Sequence, residues 1–189
     1  MMTHDERKRF IADRFPMLKA VTRKDWVEAA CEIWAKAWEK SSWEKLDELP
    51  ANPLTPSASL LNHVRGVVEN AIQVSKVRES IHGDRVDMDI LIVAGVLHDA
   101  SKPLEYEMRN GKEMHSRFGD LYPHGFYAAH LAEAAGLPQE IVHIILTHTT
   151  STKTYPITVE GLILYYCDMV DADLNRLRDK APLLIASHK

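Results

Sequence analysis

The stretch Gly95-Val96-Leu97-His98-Asp99-Ala100-Ser101-Lys102 sets three ionisable side chains at the end of an apolar run. Such a run has no packing need for them, and burying ionisable groups is costly unless they pair or bind a metal. Adjacent residues on a helix point about 100° apart, so His98 and Asp99 can grip one ion only where the backbone turns. Lys102-Pro103 predicts such a turn, because proline disfavours helix at the residue before it. Four further side chains follow the same pattern. His63 lies beside Val64 and Val67, His124 stands in Tyr-Pro-His-Gly at an expected helix start, His148 closes Ile-Ile-Leu-Thr-His, and Asp168 ends the apolar Leu-Ile-Leu-Tyr-Tyr-Cys-Asp. Each alone has an ordinary reading, as a satisfied core histidine, a turn residue or a charge on a helix dipole. Together they put histidine or aspartate at the inner edge of five successive helical segments, which the ordinary readings do not predict.

In this order the residues resemble the H…HD…D signature of the HD superfamily of metal-dependent phosphohydrolases: His63, then His98-Asp99, then Asp168. Gly-Val-Leu-His98-Asp99-Ala-Ser-Lys102 is similar to the usual GxLHDIGK block and departs from it at Ala100 and Ser101. His124 in PHGFYAAHLA and His148 in ILTHTT are similar to the two additional histidines of the binuclear branches. The resemblance covers about residues 60–177. It implies an HD-domain helical bundle in which His63, His98, Asp99 and Asp168 hold a divalent ion. His124 and His148 would hold a second ion, with Asp99 as the bridge. Mixed imidazole and carboxylate ligands without thiolate suit Mn, Fe, Co, Ni or Mg better than structural zinc. A metal pair would clamp phosphate oxygens and lower the pKa of a bridging water for attack at phosphorus, which makes Asp99 catalytic as well as a ligand.

Helix geometry bears on the other histidines. On one helix His124 and His130 diverge by about 240°, and His143 and His148 by about 140°. At most one of each pair can face a common site, and the resemblance selects His124 and His148. Asp171, one turn beyond Asp168, either supports the site from behind or is a solvated helix charge. Lys102, three residues after Asp99, is expected to contact phosphate or stabilise developing charge. Arg109, Lys112 and Arg117 give residues 104–121 a local basic character, so Arg109 and Arg117 are expected to hold substrate phosphates, while His115 reads either as an ordinary loop residue or as one that reaches a substrate.

The layout is similar to bacterial HD-domain hydrolases of dinucleoside polyphosphates. The Pro-Leu-Glu-Tyr-Glu continuation after Lys102 is also similar to certain 3′-5′ exoribonucleases, but nothing resembles the oligonucleotide-binding barrel that accompanies them. The leading expectation is a phosphohydrolase cleaving a small, nucleotide-like phosphoester or phosphoanhydride. Two alternatives stay open. A subset of the fold uses mixed-valent di-iron as an oxygenase, with the same six ligands, and a catalytically silent module would only bind a ligand or partner.

The elements that must position these residues read as helices almost throughout. Trp26, Trp34 and Trp38 are 8 and 4 apart and share one helix face. Thr22 with Asp25 and Ser41 with Glu44 read as capping boxes and predict helices from about 23 and 42. Leu49–Pro56, with three prolines in eight residues, is the best internal boundary. Further helices are expected over about 59–79, from Asp87 through Leu97, over 125–135 with Gly136 in the left-handed cap, from Pro138 toward 146, and from Thr158 to about 178. Residues 104–121 read as loop, with a short hairpin at Asn110-Gly111. The expected organisation is an all-α bundle of five or more helices over 57–180, an N-terminal helical extension over 1–56 and a tail over 181–189. The aromatic N-terminal helices read either as an interface, consistent with a homodimer, or as a lid on the core.

Composition limits the partners. The 189 residues are 46% hydrophobic and 26% charged, which excludes collagen-like and wholly disordered chains. With 23 Lys and Arg against 27 Asp and Glu, the net charge of -4 gives no strong positive field for duplex nucleic acid and no polybasic stretch for a membrane. The longest apolar run, Ile90–Leu97, has eight residues, far below the roughly 20 needed to span a bilayer. No signal peptide is visible, and Cys31 and Cys167 make no disulfide framework, so the expected location is cytoplasmic.

Overall fold

The structure, a computed structural model, describes residues 2–149, 152 and 154–188, without the side chains of Lys112, Ser187 and His188. Lys112's contribution to the basic loop and Thr150 of the ILTHTT motif therefore lie outside the described residues.

Helix α1 (His4–Arg14) starts at a reciprocal cap, in which Thr3 and Glu6 satisfy each other's backbone N–H. A 3-10 turn at Pro16–Ala20 leads to α2 (Lys24–Lys40), whose buried face holds Ile33, Trp34, Ala37 and Trp38. The Trp34 indole donates to the Val96 carbonyl at 2.8 Å. The tryptophan stripe is thus core, and one continuous cluster takes in Ile11, Phe15, Trp34, Leu60, Leu97, Ile141 and Leu164.

Neither expected capping box forms. The Thr22 hydroxyl donates instead to Asp89, a carboxylate brought in by the tertiary fold, and Arg23 is the N-cap of α2. Ser41 ends α2 and donates to the Trp38 carbonyl, and a bend and a 3-10 turn at Leu46–Glu48 replace the helix expected from 42.

Residues 49–60 fold back on themselves. Ala51 N–H donates to the Ala58 carbonyl and Leu60 N–H to the Leu49 carbonyl. Ser59 then caps α3 (Leu60–His82), which ends at Gly83 with φ 71°. Asp87 caps α4 (Met88–Leu97), which is apolar nearly all round and buried from Leu91 onward. α4 lies at the centre, against α2, α3 and two later helices, α8 (Gln139–Thr147) and α9 (Val159–Arg178). Gly95 permits this crossing: a Cβ there would sit 2.7 Å from Val68 Cγ2 and 2.9 Å from Leu164 Cδ2.

α4 ends at Leu97, six residues before Pro103, which sits instead in the first turn of α5 (Lys102–Glu105). His98 and Asp99 occupy the turn between the two helices. Residues 104–121 are more ordered than a loop. Strands β1 (Tyr106–Arg109) and β2 (Lys112–His115) pair antiparallel about Asn110-Gly111, both at positive φ, and α6 (Arg117–Leu121) follows. α7 (Phe126–Ala134) precedes Gly136 at φ 73°. The architecture is all-α, and the hairpin is its only sheet among the described residues. No helix among them is long and apolar enough to cross a membrane.

Candidate metal centre

Six side chains arrive at one point from five elements. His63 comes from α3, His98 and Asp99 from the turn after α4, His124 from the turn before α7, His148 from the end of α8, and Asp168 from α9. The sequence singled out all six. His63, His98, Asp99 and His148 are buried, and His124 and Asp168 are partly exposed at the cavity side.

Asp99 lies at the middle. Its Oδ2 is 3.3 Å from His63 Nε2 and 3.4 Å from His98 Nε2, and its Oδ1 is 3.0 Å from His124 Nε2 and 3.7 Å from His148 Nε2. Two groups able to hold an ion therefore share one carboxylate: His63, His98 and Asp99, and then Asp99, His124 and His148. Asp168 Oδ1 joins the first at 3.1 Å from His63 Nε2 and 4.0 Å from His98 Nε2. His98 Nε2 and both Asp99 oxygens are buried without a well-directed hydrogen bond. Buried polar atoms rarely stay so, and an ion or water is the usual reason. The donor set fits a divalent cation.

The far side of every imidazole is also set. Nδ1 of His98 donates to the Gly95 carbonyl and Nδ1 of His148 to the Ile145 carbonyl, each at 2.6 Å. Asp171 Oδ2 lies 2.7 Å from His63 Nδ1, and Glu105 Oε2 lies 2.6 Å from His124 Nδ1. All four rings thus aim Nε2 inward, which fixes tautomer and orientation before an ion arrives. Asp171 therefore supports the site from behind rather than standing free in solvent. Glu105 was missed in the sequence. It is held in turn by the Ser101 hydroxyl at 2.6 Å, and its only sequence signal was a carboxylate two residues past a helix-starting proline.

The electrostatics follow from this crowding. Burial alone would raise the Asp99 pKa, but the charges of Lys102 and His98 and bonds from His124 and His148 hold it well below the carboxylate range. Burial would lower His124, yet Glu105 and Asp99 push it up to about 10. Burial likewise opposes the rise at His63, which Asp168, Asp171 and Asp99 carry well above the usual imidazole value. At His148 burial wins and the pKa is lowered. Asp168, flanked by His63, falls to about 2 against the pull of burial.

Lys102 is buried, with Nζ 2.7 Å from Asp99 Oδ2 and donating to the Ala51 carbonyl at 2.7 Å. It reaches the centre through Asp99, and the segment before α3 supplies its second partner. Arg109 and Arg117 are not brought there: Arg109 pairs with Glu107 on the hairpin, and Arg117 lines a separate groove with Lys40 and Phe118. His115 does line the cavity over the centre, its ring 4.9 Å from that of Tyr106. His130 is exposed and stacked on Phe126, and His143 accepts from Ile157 N–H, both away from the centre.

The cavity holds about 350 Å³, within the range of small-molecule sites. Its floor is formed by His63, Asp99, His124, His148 and Asp168 of the centre, and its walls include Asn52, Tyr106, His115, Tyr122, Asn175 and Arg176. Arg176, eight residues beyond Asp168, donates to the Pro182 carbonyl.

Residues 60–173 match the family model described as HD domain. A curated relative, the dihydroneopterin 2′,3′-cyclic phosphate phosphodiesterase of Methanocaldococcus jannaschii, is 26% identical over 128 residues, covering 61% of this chain and 47% of the relative. The chain spans about half the length of that relative. No solved structure matches it.

Proposed function

The chain belongs to the HD-domain family, and from that premise we propose that it is a metal-dependent phosphohydrolase cleaving a small, nucleotide-like phosphoester. The observation that carries this reading is Asp99, whose two oxygens face two separate pairs of inward-aimed imidazoles. In this reading His63, His98, Asp99 and Asp168 hold one divalent ion of the Mn, Fe, Mg, Co or Ni type, and Asp99, His124 and His148 hold a second. Ions there supply Lewis acidity toward phosphoryl oxygens and an acidified water.

The chain's own residues do the rest. Asp171, Glu105 and the Gly95 and Ile145 carbonyls hold the rings still. Lys102 balances Asp99 and keeps positive charge beside the reacting phosphate. Arg176 rather than Arg109 or Arg117 is the arginine in the cavity wall, so it takes the remote anionic group of the substrate. Tyr106, His115 and Tyr122 offer ring faces for a flat substrate moiety. The relative's name points to a cyclic phosphodiester carried on a heteroaromatic ring, which fits that wall.

The test is hydrolysis of a panel of 2′,3′-cyclic nucleotides, other nucleotide phosphoesters and dinucleoside polyphosphates with Mn, Mg, Ni or Fe(II). Metal-dependent cleavage of one class is expected. No cleavage with any metal, together with oxygen uptake by the iron-loaded chain, would overturn the reading in favour of an oxygenase.

A further inference from the structure

The long helix α9 has two faces. One carries Asp168 and Asp171 into the metal centre. The other carries Val159, Leu162, Tyr166, Val170, Leu174 and Leu177, three or four residues apart, so they form one stripe. α3 runs antiparallel beside it, with His63 against Asp171 at one end and Val74 and Arg78 beside Val159 and Leu162 at the other. Val74, Val77 and Ile81 widen the stripe from α3, and Ile185 widens it from the 3-10 turn Leu184–His188. These ten apolar side chains are 41% to 71% exposed. A monomer rarely leaves more than a few hundred Å² of contiguous apolar surface in water. Ten half-exposed large side chains come to the order of the 800 Å² per partner that a stable interface buries.

The relief of this face is self-complementary. Tyr166, Val170 and Leu174 form a ridge between two apolar grooves. One groove, of about 890 Å³, lies toward α3 and is walled by Val74, Leu162 and Ile163. The other, of about 590 Å³, is walled by Leu183 and Ile185. A ridge beside a groove on the same face lets a two-fold axis seat each copy's ridge in the other's groove. The charges lining the grooves are already matched within the chain. Arg78 pairs with Asp84 at 2.6 Å, and Asp173 accepts the Leu184 and Ile185 N–H groups. These groups need no charged partner, so the surface that fits the stripe is apolar. The aromatic stripe of α2, by contrast, is spent in the core.

We propose that two copies of the chain associate through α3 and α9, as a two-fold dimer with a four-helix interface. The experiment is sedimentation velocity on the full chain across micromolar concentrations. The mass of two chains is expected. Val170→Glu should raise the dimer dissociation constant at least about 100-fold, because it buries an unpaired charge on each side of the axis. Ile185→Glu lies outside the helices and should dissociate the dimer with an unchanged circular dichroism spectrum, which separates loss of contact from loss of fold. Leu121→Glu, exposed on α6, should leave the dimer intact. A mass of one chain at every concentration, or a dimer that survives both Val170→Glu and Ile185→Glu, would overturn the proposal. So would a one-chain species that binds phosphatidylcholine vesicles, because a lipid surface would then be what covers the stripe.

Discussion

Glu105 Oε2 lies 2.6 Å from Nδ1 of His124, on the side of the ring away from the metal centre, while Asp99 Oδ1 lies 3.0 Å from Nε2 on the other side. The ring is held between two carboxylates. Asp171 and Asp99 hold His63 in the same way. Each outer carboxylate makes its imidazole a stronger donor and keeps it in one orientation. Glu105→Gln should therefore weaken the second ion about 10–100-fold and leave the first almost unchanged, and Asp171→Asn should do the reverse. Titration calorimetry with Mn, which resolves two binding steps, checks this.

Asp99 is common to both groups, so Asp99→Asn should weaken both ions together, each by more than about 100-fold, given that even an outer partner costs 10–100-fold. His148→Ala removes a ligand from one group only and should leave about one ion per chain. Metal analysis after gel filtration, with circular dichroism to confirm retained helix, gives the comparison.

Lys102 touches Asp99 and not open solvent, but its ammonium cannot be a ligand because it has no acceptor lone pair. Lys102→Met should keep both ions and lower kcat about 100-fold with little change in KM, the size of losing one preorganised stabilising group. It also leaves the Ala51 carbonyl without its donor, at a cost of about 1–3 kcal/mol in stability. Steady-state kinetics on a cleaved phosphoester and a denaturant melt measure the two effects.

Gly125 holds the Pro-His-Gly turn at φ 76°. A Cβ there would stand 3.0 Å from the Ile145 carbonyl oxygen and 3.3 Å from His148 Cε1. The left-handed conformation alone costs a side-chain-bearing residue about 1–2 kcal/mol. Gly125→Ala should thus lower stability by about 2 kcal/mol and Tm by about 4–8 °C, and weaken the second ion more than the first. Calorimetric unfolding and the same Mn titration test it.

Glu113, on β2, has a buried oxygen without a partner, and burial pushes its carboxyl up to about 7 against a small downward pull from Lys102. The folded chain then binds this proton more tightly than the unfolded one. The contribution to stability is complete below the unfolded value of 4.5 and lost as pH rises through about 7. Glu113→Gln removes that slope. It should match the parent below pH 4.5 and exceed it well above pH 7 by about 1 kcal/mol, once the partly exposed position is discounted for solvent screening. Thermal melts across that range would show the two curves separating with rising pH; parallel curves would reject the assignment.

Five of the six residues of the centre stand beside apolar runs, where the cost of burying an ionisable group is visible from its immediate neighbours, whereas His124, in a Pro-His-Gly turn, and the choice of His148 over His143 came from the resemblance to the HD-domain motif. The helices were legible for a similar reason. Val64, Val67 and Val68 or Ile141, Ile144 and Ile145 repeat at helical spacing, and Ser59, Asp87 and Thr158 cap from the adjacent position. What the tertiary structure alone decided is which distant group each polar atom meets. Glu105 and Asp171 meet partners that lie 19 and 108 residues away along the chain. Thr22 and Ser41 carry the residue types of a helix cap, but a hydroxyl bonds the nearest acceptor in space, here Asp89 and the Trp38 carbonyl. Arg109 and Arg117 share a basic stretch with Lys102, yet the turn of the hairpin and of α6 carries them away from the cavity while α9 brings Arg176 into it. Periodicity and burial cost are properties of neighbours along the chain, whereas a hydrogen-bond partner is chosen by distance, and only the packing of α3, α4, α8 and α9 sets those distances.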